Sequence, residues 1–146
     1  MAFIHVKGPA RAEPFQKVAS VAIALNSVLG FDGTLGRVRQ AAAASLRIAG
    51  ISLEKVASGD DDYASASMIS VIQPGDFDIF EADVSGTATQ ANVGEQYDLA
   101  TNTDGTAQEI NLSGTTYKVV TVVGFISADK VLVKFNGNYA FANKDN

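Results

Sequence analysis

GEQYDLATNTDGTAQEINLSGTTYKVVTVVGFISADKVLVKF, residues 94–135, decides the fold of this chain. Two β-rich runs stand out in it, residues 117–123 and residues 131–135. Turn signals punctuate them: Asp104 with Gly105, Ser113 with Gly114, and Ser127, Ala128 and Asp129. Short strands at close spacing predict an all-β chain, a small antiparallel β-barrel or sandwich. Val120, Val122, Ile126, Leu132 and Phe135 are the expected core of its closing hairpin. The stretch holds no His, Cys or Trp. Its residue types point to a structural or binding module rather than to an enzyme.

Upstream, Met68 to Ile72 read as a strand stopped by Pro74 and Gly75. Residues 77–84 place Phe77 and Ile79 on one parity and Phe80, Ala82 and Val84 on the other, so a bulge or corner is expected near Ile79. Asp76, Asp78, Glu81 and Asp83 read as polar faces of that bent strand, with a hydrolytic carboxylate pair as the alternative. Asp60, Asp61 and Asp62 form a solvated loop. Calcium binding is the alternative there, although EF-hand spacing is absent.

Asp32 and Gly33 between apolar flanks are a hairpin signal. Leu46 and Ile48 share one parity, Ile51 and Leu53 the other, and a bulge at Gly50 reconciles them. Residues 18–25 lean to strand on β-branched content. Residues 40–45 leave a helical turn, a loop and a strand end open. Residues 1–15 carry Pro9 and Pro14 and predict an extended N-terminal arm with a short strand over residues 3–6. A frayed terminus is the alternative. The expected organisation is an arm at 1–15, a β domain at 16–136 and a tail at 137–146. Tyr139 and Phe141 share one parity of that tail.

The chain of 146 residues suits one domain, and its 47% hydrophobic content is ordinary for a globular core. Zero Cys removes thiolate and disulfide chemistry, and one His with no Cys cannot build a zinc site. No phosphate-binding loop or nucleophile elbow occurs. No cofactor is expected. A net charge of −5 weighs against direct nucleic-acid binding, which needs a basic face. The longest apolar run, residues 18–25, falls well short of the roughly 20 residues that span a bilayer, so no membrane partner is expected. The N-terminus is too polar for a signal-peptide core, and use without Sec export is the expectation.

Residues 28–38 (VLGFDGTLGRV), residues 75–84 (GDFDIFEADV) and the hairpin at 119–135 together carry a resemblance. The chain resembles the capsid decoration, or cement, proteins of tailed bacteriophages. That resemblance implies a non-enzymatic, often trimeric β protein, made in the host cytoplasm and placed on the outer capsid surface of the virion. It further implies bridging of neighbouring major capsid proteins, with an N-terminal arm adding a strand to the lattice. Phe3, Ile4, His5, Val6 and Arg11 are the expected capsid contacts of the arm. Arg37 and Arg39 are expected to meet acidic capsid surface, with a solvated strand face as the alternative. The acidic loop at 60–62 and the aromatic tail lie outside the resemblance. The alternative functions are another phage structural module (tail, fibre or head-fibre base), a calcium-assisted carbohydrate-binding module, and a hydrolase using the 76–83 carboxylates.

Overall fold

The computed structural model describes residues 3–32, 36–41, 48–101 and 108–136. Strands β1 (Phe3–Lys7), β2 (Ala12–Gln16), β3 (Val28–Phe31), β4 (Val38–Gln40), β5 (Ile48–Ser52) and β6 (Met68–Ile72) are followed by β7 (Ile79–Ser85). After one 3-10 turn at Gln90–Asn92 come β8 (Gln96–Thr101), β9 (Gln108–Asn111), β10 (Val120–Ser127) and β11 (Lys130–Phe135). No α-helix occurs among the described residues.

The chain is all-β. Strands β7, β11, β10, β8 and β9 form a five-stranded mixed barrel, closed by parallel pairing of β7 with β9. β1 lies antiparallel on the same edge of β7 that pairs β9 further along. Closure removes the edges an open sheet would expose. A second, antiparallel sheet has the order β2-β6-β5-β3-β4. Its outer strands curl toward each other and meet in a parallel bridge between Lys17 and Val38.

Two apolar clusters hold these layers. One fills the barrel and continues into the second sheet through Val28, Ile48, Ile51 and Ile72. The other lies within the curl of the second sheet, around Leu29, Val38, Ala49 and Val71. β5 contributes to both, and all five of its residues are buried. Gln108 of β9 ties the layers together: its amide nitrogen donates to the Val28 and Ala41 carbonyls and its oxygen accepts the Val28 N–H. A buried amide with both ends satisfied fixes a register without leaving an orphan polar group.

Several sequence expectations appear directly. β10 and β11 form the closing hairpin with its turn at 128–129, and β3 and β4 form the hairpin across Asp32. The bulge falls at Gly50, where Leu29 pairs Gly50 but Gly30 pairs Ile48. The turn at Asp104 and Gly105, the alanine run from 42 and the tail from 137 lie outside the described residues.

Other readings change. Residues 1–15 were expected as an extended arm. Instead they form two strands, β1 and β2, joined by a turn with Gly8 and Ala10 at φ 109° and 53°, and each is built into a different sheet, with Phe3 0% exposed against Phe135 at a ring-centroid distance of 5.6 Å. Residues 18–25 form turns rather than a strand. Ser20 and Asn26 sit at φ 58° and 63°, which breaks an extended run, and Ile23 alone makes a bridge, to Val56. The strand expected from 117 begins at Val120, for a reason given below. In the closing hairpin Val120, Val122 and Phe135 are buried as expected, but Ile126 is 43% exposed and Leu132 half-buried. Two register shifts in β10, after Val122 and after Phe125, move its second half off the core parity.

Candidate interaction surface

The chain crosses between barrel and second sheet at two places close together, from β1 to β2 and from β6 to β7. Asp78 pins both crossings. Its Oδ1 accepts the Ala10 N–H at 2.9 Å and the His5 ring at 3.0 Å, and its Oδ2 accepts the Gly75 N–H at 2.8 Å. A carboxylate only accepts, so His5 Nε2 carries the proton in this contact. The His5 ring also stands edge-on to Phe80 at 5.4 Å. Packing here is close: a Cβ on Gly8 (φ +109°) would lie 2.4 Å from the Phe77 carbonyl oxygen and 2.5 Å from Asp78 Oδ1. Glycine is therefore required at position 8.

Burial pushes the Asp78 carboxyl pKa up, but the N–H groups of Gly75 and Ala10 and the His5 ring outweigh it and hold it below the ordinary value. A depressed folded pKa stabilises fully above the unfolded value, about 3.9, and that contribution is lost as pH falls through the folded value. Asp78→Asn is expected to cost about 1–3 kcal/mol at neutral pH. It should also flatten the loss of stability below about pH 4. Thermal melts of both proteins from neutral to acid pH check this, and parallel acid limbs would contradict it.

Among the described residues, the residue before this anchor is the most exposed large apolar side chain. Phe77 is 79% exposed, on a turn fixed at both ends by Asp78. It was expected within a strand. The strand begins two residues later, at Ile79, and the parity conflict around Ile79 reflects that corner. Exposed Ile4 and Val6 lie on the neighbouring outer face of β1, with half-buried Ile79 beside them on β7. Further around the wall, Leu132 packs over Gly124, where a Cβ would meet its Cδ1 at 3.0 Å, and Val123, Phe125 and Ile126 are exposed. Glu81, paired with Ile4 on one side and Leu132 on the other, lies between the two apolar areas, and Lys130 stands 3.9 Å from it and 2.6 Å from Asp83.

The expected contact residues divide accordingly. Ile4 and Val6 are at the surface, whereas Phe3 is core and His5 is bound to Asp78. Arg11 is exposed beside Glu13, at the start of β2. Arg37 lies at the other end of β2, with its Nε donating to Gln16 at 3.2 Å, and Arg39 is exposed on β4. The structure thus brings Arg37 and Arg39 together on the second sheet. It sets them apart from Arg11 by the length of β2, about 16 Å at the usual strand rise.

Asp78, expected on the polar face of a bent strand, is instead 1% exposed, and two further buried charges were not legible as such. Lys17, just beyond the segment expected as an arm, is 0% exposed, and its Nζ donates to the carbonyls of Tyr63 and Ser65. Its ammonium thereby holds the acidic loop by the backbone, while Asp60 accepts the Ala57 N–H at 2.8 Å. Asp98 accepts the N–H groups of Thr116, Tyr117 and Lys118 at 3.0, 2.6 and 2.7 Å. Those N–H groups are captured by a side chain, which is why the β-branched run from 117 starts as a loop. Among the described residues, no three His, Cys, Asp or Glu side chains are grouped so as to hold a metal ion. Asp78 and Asp83, two of the proposed hydrolytic carboxylates, are engaged with His5 and with Lys130. No known family model matches the chain, and no curated protein matches it.

Proposed function

We propose that the protein is a non-enzymatic structural component of a virion that binds the outer surface of a phage capsid and bridges neighbouring major capsid proteins. One observation carries the reading: Phe77, 79% exposed, is presented on a turn locked by a buried carboxylate and leading into β7, whose partner strand β1 exposes Ile4 and Val6. A large aromatic carried on a fixed backbone turn loses little backbone freedom on docking, which is the character of an interface anchor. The partner supplies an apolar pocket for Phe77 and covers the β1 face. Contact through this face replaces donation of a free N-terminal arm, because withdrawing β1 would expose Phe3.

The assembly we propose is a homotrimer on the capsid. Barrel closure and the curl of the second sheet leave β1 at the end of its sheet order as the edge that a neighbouring chain would cover. Phe77→Ser tests the anchor. It should leave the melting temperature unchanged and weaken capsid binding by about thirtyfold or more, the loss of a hot spot worth about 2 kcal/mol. Undiminished capsid occupancy by a folded Phe77→Ser protein would overturn the assignment.

A further inference from the structure

A second surface feature stands apart from Phe77. A cleft of about 350 Å³ opens between the turn before β8 and the loop before β10, lined by Gly94, Glu95, Gln96, Thr115 and Lys118. This volume lies at the lower end of the roughly 300–1,000 Å³ typical of small-molecule sites. Its loop is held in an unfavourable conformation. Lys118 sits at φ 52°, in the left-handed region that lysine seldom adopts. The buried carboxylate of Asp98 fixes it there through three consecutive backbone N–H groups, and Asn136 Nδ2 donates to the Lys118 carbonyl at 2.6 Å. Strain held in place by a buried polar device is a feature of ligand sites.

The lining selects the ligand. Lys118 disfavours a cation and Glu95 disfavours an anion. The exposed polar side chains offer little to an apolar guest. An ammonium donor, a carboxylate acceptor, an amide and a hydroxyl together match the alternating donors and acceptors of a neutral, hydroxyl-rich molecule. We infer that this cleft binds a single sugar unit, through Lys118 and Glu95, independently of the Phe77 surface and of calcium.

The test is amide NMR titration of the full chain with glucose, galactose, mannose and N-acetylglucosamine, each as the free sugar and as its methyl glycoside, and with inorganic phosphate alone. At least one sugar should give saturable shifts at residues 94–96 and 115–118, with a dissociation constant on the order of 1 mM for so open a site. Retention on methylation assigns the terminus of a glycan, and loss assigns a free sugar. Glu95→Gln should weaken binding about tenfold, as removal of one charge-assisted hydrogen bond does. Lys118→Gly should abolish binding while keeping or raising the melting temperature, because glycine relieves the positive φ. Absence of shifts with every sugar, shifts elsewhere on the protein, or phosphate binding at Lys118 would overturn the inference.

Discussion

Removal of residues 1–14 is expected to leave a chain that does not fold. The deletion takes away β1 and most of β2, one strand from each sheet. Phe3 belongs to a three-ring cluster in which Phe135 lies 5.6 Å from Phe3 and 5.5 Å from Phe80. Loss of a buried Phe side chain alone costs about 3–5 kcal/mol, against a total stability of about 5–15 kcal/mol. The deletion also strips Asp78 of its contacts with His5 and Ala10, leaving a buried carboxylate with only the Gly75 N–H of those three donors. Near-UV circular dichroism and amide dispersion check the result. A soluble truncated protein with an unchanged melting temperature would return the segment to the status of a detachable arm.

Gly50→Val carries the second large effect. A Cβ at this position would stand 1.9 Å from the Ile72 carbonyl oxygen, and the backbone is at φ +149°. Retreat is blocked, because Ile51 pairs with Ile72 next to the clash and β5 is buried along its whole length. Overpacking of this kind costs about 1–3 kcal/mol where side chains can shift, and more where backbone must. The expected outcome is insoluble protein, or a melting temperature lowered by roughly 10 °C. A melting temperature within experimental scatter of the parent would show that the bulge opens freely.

The hairpins and the end of β6 were legible because their signals are local. Asp32, the pair Pro74 and Gly75, and the turn after Ser127 each act within a few residues, and Gly50 announced its bulge through a change of parity. What escaped depends on contacts distant in sequence. Nothing near residues 116–118 reveals that Asp98, about twenty residues earlier, captures their N–H groups. Likewise, Lys17 is ordinary as a sequence residue and becomes a buried clamp only once the loop at 63–65 folds over it. The parallel pairing of β7 with β9 that closes the barrel has no local signature either. As for the candidate surface, the outward parity of Ile4 and Val6 could be read, but the prominence of Phe77 could not. Its exposure follows from the corner that Asp78 imposes through His5 and Ala10, both far upstream.

Thermal rupture of capsids tests the proposed clamp directly. Capsids carrying the protein, capsids lacking it and capsids exposed to the Phe77→Ser variant would be heated in parallel, with release of DNA as the readout. Bound protein is expected to raise the rupture temperature, because on the proposed reading each copy bridges subunits that must separate and many weak bridges act together. The variant should leave capsids at the unprotected value. Capsids that bind the protein fully and still rupture at the unprotected temperature would contradict the clamp.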